Sequence, residues 1–299
     1  PSIGHCQMFH PLLPELTQHN GEQSKNLSIF GQILDFLCEN SITRSDIIIA
    51  LGGGVVGDMA GFCAATYLRG VNFVQLPTSL LAMVDSSVGG KTAIDLKCGK
   101  NLAGAFYQPR FVLCDVNALD TLPSMYYNDA MAEIIKYAFI YDASLVDALK
   151  KDTPDIKEII TRCIKIKSEV VSKDEFEGGL RKILNFGHTV GHSAELLSDY
   201  KIPHGNAVAI GMFVISNALE KRGECKEGTT KELLRLLDKY LLPHRCDFSA
   251  ESLAEKALND KKASGDTISL VTISEIGKSG YEKIDFTTLR ELIEEGLKE

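Results

Sequence analysis

The chain has 299 residues, with 32 Lys+Arg against 40 Asp+Glu, a formal net charge of −8 and 44% hydrophobic residues, which is an ordinary globular composition with length enough for two domains. The negative balance argues against a nucleic-acid or anionic-membrane surface, no apolar run is long enough to span a bilayer, and no signal peptide is visible. The eight cysteines, at 6, 38, 63, 98, 114, 163, 225 and 246, form no C-x-x-C pair and read as free thiols, so a reducing, cytoplasmic location is expected.

The chain opens on Pro1 rather than Met, so its true start is expected to be missing. Residues 1–25 read as irregular. Leu27, Phe30, Leu34 and Leu37 have helical spacing, predicting a helix over Leu27–Cys38. The β-branched run Ile47 to Leu51 predicts a buried parallel strand. It ends on Gly52-Gly53-Gly54, with a small-residue helix expected from about Asp58 to Thr66. Strands are predicted over Val71–Leu76, stopped by Pro77, and over Phe111–Val116. Strands alternating with helices imply a parallel sheet.

Beyond Leu122-Pro123 helical patterns dominate: Ala130–Ile140, Ser144–Leu149, Asp155–Ser172, Gly187–Leu197, Ala207–Arg222, Thr229–Tyr240 and Phe286–Leu297. A strand pair is expected around Thr267–Ile273. The predicted class is an α/β nucleotide-binding domain with a parallel sheet, residues 1–123, followed by a mostly helical metal- and substrate-binding domain, residues 124–299.

Four constellations bear on chemistry. Gly52-Gly53-Gly54-Val55-Val56-Gly57-Asp58 is a G-x-G-x-x-G run after a strand and before a helix, where backbone N–H groups can meet a pyrophosphate. The acidic residue that usually follows about 20 positions later is absent, Pro77 and Thr78 standing there instead, so a plain strand–helix turn is an equal reading. Gly89-Gly90-Lys91-Thr92 fails as a P-loop because Asp85 occupies the first glycine position. Lys91 and the Lys100-Asn101 pair suit an anion, against the commoner fate of lysine in a solvated loop.

Glu133 and Lys136 share one face of a helix with apolar flanks. A surface ion pair of little worth is the plain alternative, but the flanks point the pair toward a cleft. Finally, Arg181, Asn185, His188, His192, Glu195 and His204 gather three of the seven histidines. His188 and His192 lie one turn apart, so spacing alone nominates them as a ligand pair. Nitrogen and oxygen donors without a cysteine pair favour zinc in a site open to substrate.

Taken in order, Gly52 to Asp58, Arg69-Gly70, Pro77-Thr78, Val84 to Ala93, Lys100-Asn101, Ala132 to Lys136, Arg181 through His192, His204-Gly205 and Asp260-Lys261-Lys262 resemble the 3-dehydroquinate synthase family. The resemblance runs from Asn20 onward and implies a homodimer that uses NAD and zinc, cobalt being an alternative ion. It implies that Glu133, His188 and His204 hold the metal, which moves His192 to a substrate or proton-relay role. Asp85, Lys91, Asn101, Lys136, Lys167, Arg181, Asn185 and one of Lys261 or Lys262 would contact substrate, with Arg69 on its phosphate. Glu22 and Lys25 would meet the ribose side of NAD. Gly53, Gly54, Val55, Val56, Gly57, Asp58, Thr78, Ser79, Lys91, Lys100, Leu119 and Thr121 would line the rest of the cofactor.

The reaction so implied converts the sugar phosphate 3-deoxy-arabino-heptulosonate 7-phosphate to 3-dehydroquinate and phosphate, a carbon–oxygen lyase step of aromatic amino acid biosynthesis. Alternatives are another sugar-phosphate cyclase, a metal-dependent polyol dehydrogenase of similar fold, or a non-catalytic NAD-binding remnant. Family members carry a further segment before the one matching Asn20, expected to hold the first strands and part of the adenosine site.

Overall fold

In the computed structural model residues 15–17, 21–259 and 267–298 are described, and the chain divides into two units, Pro1–Tyr127 and Asn128–Glu299. Asp260, Lys261 and Lys262, Asn20 and most of residues 1–19 lie outside the described residues.

In the first unit a 3-10 turn, Glu22–Ser24, precedes α1 (Leu27–Glu39). Asn26 opens α1 by accepting from the N–H groups of Ser28 and Ile29, a cap worth about 1 kcal/mol. Phe30 and Leu37 on its inner face join Met59, Cys63 and Ile94 in one core. β1 (Ile47–Gly52) runs into α2 (Gly54–Thr66), which leads to β2 (Asn72–Pro77). The two strands pair in parallel, from Ile47 opposite Asn72 to Gly52 opposite Pro77. β3 (Lys91–Leu96) and β4 (Gly99–Phe106) form an antiparallel hairpin. β5 (Phe111–Val112) then pairs in parallel with β2, completing the order β1-β2-β5.

Two expectations are corrected in this unit. The helix after the glycines begins at Gly54, not near Asp58, because Gly53 itself is the N-cap and the turn is already helical. The strand expected over Phe111–Val116 pairs only at Phe111–Val112, since Asp115 caps a 3-10 turn, Val116–Thr121, by accepting from the N–H of Asn117. The hairpin that carries Lys91 and Lys100 was not predicted. α2 lies tight on its neighbours: a Cβ on Gly57 would fall 2.5 Å from Gln75 Oε1, and one on Gly61 2.4 Å from Thr92 Cγ2. On β1, Ile47, Ile49 and Leu51 alternate outward and are exposed, as are Phe111 and Leu113.

The second unit begins within α3 (Ser124–Ile140), which is followed by α4 (Leu145–Lys150) and α5 (Ile156–Lys173). A 3-10 stretch, Leu180–Asn185, precedes α6 (His188–Leu197) and α7 (His204–Lys221). Then come α8 (Thr229–Lys239), α9 (Ala250–Asn259), the antiparallel pair β6 (Thr267–Glu275) and β7 (Lys278–Asp285), and α10 (Phe286–Leu297). α9 and the location of β7 were not expected from the sequence. Buried on nearly all sides from Ala207 to Ser216, α7 is the central element and packs on α6, α8, α10 and β6. No helix among the described residues is long and apolar enough to cross a membrane.

Glycine makes the α6–α7 contact close enough to matter for function. A Cβ on Gly211 would lie 1.9 Å from the carbonyl oxygen of Gly187, and one on Gly191 2.9 Å from that of Ala207. Backbone cannot yield as a side chain can, so Gly211→Ala should destabilise the chain by about 1–3 kcal/mol or more. Gly31→Ala, in α1 where a Cβ meets nothing within 4 Å, should instead stabilise by about 1 kcal/mol. Urea unfolding of the two variants against wild type measures both signs.

Candidate active site

From Ala130 to Ile140 every residue of α3 is buried, among them Glu133 and Lys136. Two charges on such a helix survive only if they neutralise each other or meet a third group. Lys136 Nζ donates to Glu133 Oε2, a buried pair whose loss of one member costs about 3–5 kcal/mol. The other carboxylate oxygen, Glu133 Oε1, lies 3.4 Å from His188 Nε2 and 3.3 Å from His204 Nε2. These two histidines are the first residues of α6 and α7, the helices that the glycine contact holds together.

α3 also fixes where α7 begins. Pro203, the N-cap of α7, offers no side-chain acceptor. Asp129 takes its place from α3, accepting from the N–H of Gly205 at 3.0 Å and of Asn206 at 2.8 Å. A Cβ on residue 205 would come 1.8 Å from the Asp129 carbonyl oxygen, so only glycine permits this approach. Asp129 is one helical turn before Glu133. The same helix therefore grips the start of α7 and delivers the carboxylate beside His204.

The imidazoles differ in electrostatics. Burial pushes His188 well below the usual histidine range, and Lys136 adds to that while Glu133 opposes it. At His204 burial is again the largest influence and acts downward, but hydrogen bonds and charge from Glu133 and Glu195 outweigh it and raise the value to about 10. The two carboxylates thus draw positive charge to this spot.

Among the described residues, two donor groups fit a metal ion by proximity: Glu133, His188 and His204, and a neighbouring set of His192, Glu195 and His204, the ligand atoms of each lying within 4.8 Å of one another. His192 stacks edge-on to His188 with ring centroids 5.2 Å apart, and its ring is 6.0 Å from that of His204. The rings of His188 and His192, the pair nominated by spacing, are adjacent, but neither donor set contains both: Glu133 and His204 join His188, and Glu195 and His204 join His192. The first set matches zinc chemistry: metal–donor bonds of about 2.0–2.1 Å place tetrahedral donors about 3.3 Å apart, leaving an open position for a fourth ligand. The two distances from Glu133 Oε1, 3.3 and 3.4 Å, agree with that edge.

Around these donors, Asn185, His188, Thr189 and His192 line a cavity with Lys256 and Ile268. Lys167 on α5 and Arg181 are buried cations. Arg181 is held through Asp174, whose carboxylate accepts from the N–H groups of Gly178 at 2.9 Å, Gly179 at 2.7 Å and Arg181 itself at 2.9 Å. Arg181 Nη1 donates to the carbonyl of Glu175, and Asn185 donates to Glu177 Oε1 at 2.5 Å. Asp129, Asp174 and Lys256 escaped the sequence reading. A cap supplied by a distant helix and a turn closed by an aspartate seven positions upstream leave no local signature, whereas Lys256 falls on the unexpected α9.

In the first unit Gly53 and Gly54 form the turn into α2, with Cβ positions 3.3 Å from Ser79 Oγ and 3.0 Å from Ser86 Oγ respectively. No side chain caps the α2 N-terminus, and Thr78 closes on it, donating its N–H to the Gly52 carbonyl at 2.9 Å. Val55, Val56, Gly57 and Asp58 occupy the first turn and a half of α2. Glycines without Cβ atoms and an N-terminus without a side-chain cap leave room and donors for a dinucleotide phosphate. Asp85 sits in a π-helical turn, Ala82–Ser86, a form common at functional sites. Lys25 is buried and donates to Asp58 Oδ2 at 2.6 Å and Asn101 Oδ1 at 2.5 Å, with Glu22 Oε1 at 3.9 Å. Asn101 has a left-handed backbone, φ 56°, and receives a further tie from its N–H to Asp95 Oδ1 at 2.7 Å. Lys91 opens β3 and Lys100 is the second residue of β4. Leu119 and Thr121 lie on the 3-10 turn before α3, and Arg69 is exposed on a turn where Leu68 and Arg69 both have positive φ.

The fold is shared with known proteins. Residues 15–129 match the model of the 3-dehydroquinate synthase N-terminal domain, and residues 130–263 that of the C-terminal domain. A 3-dehydroquinate synthase of Clostridium acetobutylicum is 47% identical over 273 residues, covering 89% of this chain and 77% of that protein. A 2-deoxy-scyllo-inosose synthase solved with carbaglucose-6-phosphate, NAD+ and Co2+ superposes with a TM-score of 0.80 at 28% identity, covering 93% of this chain and 81% of the other. A 2-epi-5-epi-valiolone synthase of Streptomyces hygroscopicus solved with NAD+ and Zn2+ shares the fold, with a TM-score of 0.84 at 23% identity over 92% of this chain and 80% of the other. Fold and site together define an enzyme of the sugar-phosphate cyclase class. Within that class, the chain belongs to the 3-dehydroquinate synthase family.

The turn that carries Arg181 yields a pH test. Backbone N–H groups, that of Arg181 foremost, hold the Asp174 carboxyl below the usual carboxylate range. A folded value lower than the unfolded one means that this stabilisation is complete above the ordinary carboxylate range and lost as pH falls through the lowered value. Asp174→Asn should therefore melt lower than wild type at neutral pH, and the gap should close in acid. Melting curves of both proteins across that range would show it, and a gap independent of pH would refute it.

Proposed function

We propose that the chain converts 3-deoxy-arabino-heptulosonate 7-phosphate to 3-dehydroquinate and phosphate, as an NAD- and divalent-metal-dependent carbon–oxygen lyase working as a homodimer. The convergence of Glu133, His188 and His204 on one point carries this reading. When bound, the ion supplies Lewis-acid polarisation of substrate hydroxyls, and NAD supplies a hydride acceptor that is regenerated within the cycle.

In this reading the first unit binds NAD and the second holds the metal. Glu133, His188 and His204 hold the ion. Glu22, Lys25, Gly53 to Asp58, Thr78, Ser79, Lys91, Lys100, Leu119 and Thr121 serve the dinucleotide. Lys136, fixed on Glu133, offers a buried positive charge next to the metal donors. Lys167, Arg181 and Asn185 bind the anionic and hydroxyl groups of the substrate, with Asp85, Lys91 and Asn101 on further hydroxyls and Arg69 on the phosphate. His192 is one turn from His188 on the cavity wall, where it can hold or pass a proton. Charges fixed before substrate arrives need no reorganisation during reaction, which is usually the largest catalytic contribution.

The identity of 47% to a 3-dehydroquinate synthase against 28% to an inosose synthase favours the dehydroquinate reaction over its sister cyclisations. The test is phosphate release from the heptulosonate phosphate by purified protein, with and without NAD and chelator. Release should need both metal and NAD, with many turnovers per NAD. One NADH accumulated per turnover would establish a dehydrogenase instead. In the same assay Lys91→Ala and His192→Ala should lose rate by about 100-fold or more, with His192→Ala retaining zinc and His188→Ala losing it.

A further inference from the structure

His204 lies between two carboxylates. Its Nε2 is 3.3 Å from Glu133 Oε1, and its Nδ1 is 3.2 Å from Glu195 Oε2. A neutral imidazole carries one ring proton, and which nitrogen bears it is set by the partner of that nitrogen. A proton on Nε2 would face Glu133 and close the ring to a cation at that point. A proton on Nδ1 would be donated to Glu195 and turn the Nε2 lone pair toward Glu133 and His188. His188 meets the same requirement differently: its Nδ1 faces the Phe186 carbonyl at 3.1 Å, a neutral partner from its own chain turn.

Glu195 is well placed for the task. It is buried on α6, two turns after His188 and so on the same face. The turn that ends α6 is closed over its backbone, the Glu195 carbonyl accepting from Ser198 Oγ and the Tyr200 N–H, both at 2.8 Å. α6 thus carries one imidazole at its start and, at its end, the carboxylate that orients the other.

We infer that Glu195 is a positioning residue, which fixes the tautomer and angle of His204 so that Nε2 faces the point shared with Glu133 and His188. The inference rests on the metal reading above. A carboxylate behind a ligating imidazole also makes the ring a stronger donor, so the charge of Glu195 contributes as well as its geometry.

The test is zinc affinity of the metal-free protein, measured by competition with a chromogenic chelator at fixed pH, for wild type, Glu195→Ala, Glu195→Gln and His188→Ala. Loss of an orienting partner typically weakens metal binding by about 10–100-fold, and Glu195→Ala should fall in that range. Glu195→Gln keeps an acceptor of the same shape without the charge, and should recover most of the loss, remaining about three- to tenfold weaker than wild type. Both should bind better than His188→Ala. If Glu195→Ala does not fold, the near-isosteric Gln variant decides alone. Either variant binding zinc within about twofold of wild type would overturn the positioning role while leaving the metal reading intact. A wild-type protein that binds no zinc would overturn both.

Discussion

Glu133 brings a carboxylate into a helix face whose neighbours from Ala130 to Ile140 are all buried. An isolated charge there would be too costly to keep, and the surroundings answer it on both oxygens: Lys136 on one, His188 and His204 on the other. Each answering group needs its own support. α6 and α7 approach closely only through Gly187, Gly191 and Gly211. Asp129 ties the first turn of α7 to the helix that bears Glu133. The two histidines consequently sit at helix starts, where backbone position is fixed by packing and capping rather than by loops.

Much of this order follows from small residues and aspartates rather than from the functional groups themselves. Asp174 organises the turn before Arg181 in the way that Asp129 organises α7, by accepting several backbone N–H groups at once. In the first unit Lys25 acts as a donor instead, joining the segment before α1 to Asp58 on α2 and Asn101 on β4. That network holds Asn101 in a left-handed conformation that an asparagine adopts more readily than most residues.

The sequence made the parallel strands, the long helices and the glycine turn legible because each is a local pattern: a β-branched run, a 3.6-residue repeat, three adjacent glycines. The hairpin from Lys91 to Phe106 was not among the predicted elements, although Thr92 and Ile94 alternate inward. The proposed metal donors show the limit most clearly. His188 and His192 have spacing that any helix would exploit, so they stood out together. Glu133 and His204 reach His188 from α3 and α7, and no spacing rule joins residues on three separate helices; only the resemblance to a family supplied that set. Asp129 was beyond both routes, because its role depends on α7 lying beside α3.

The account rests on one cation being shared by Glu133, His188 and His204. Crystals loaded with zinc and measured on either side of the zinc absorption edge would locate it directly. The account predicts a single strong anomalous peak within bonding distance of Glu133 Oε1, His188 Nε2 and His204 Nε2. A peak held by His192 and Glu195 in place of Glu133, or no peak among these helices, would contradict it.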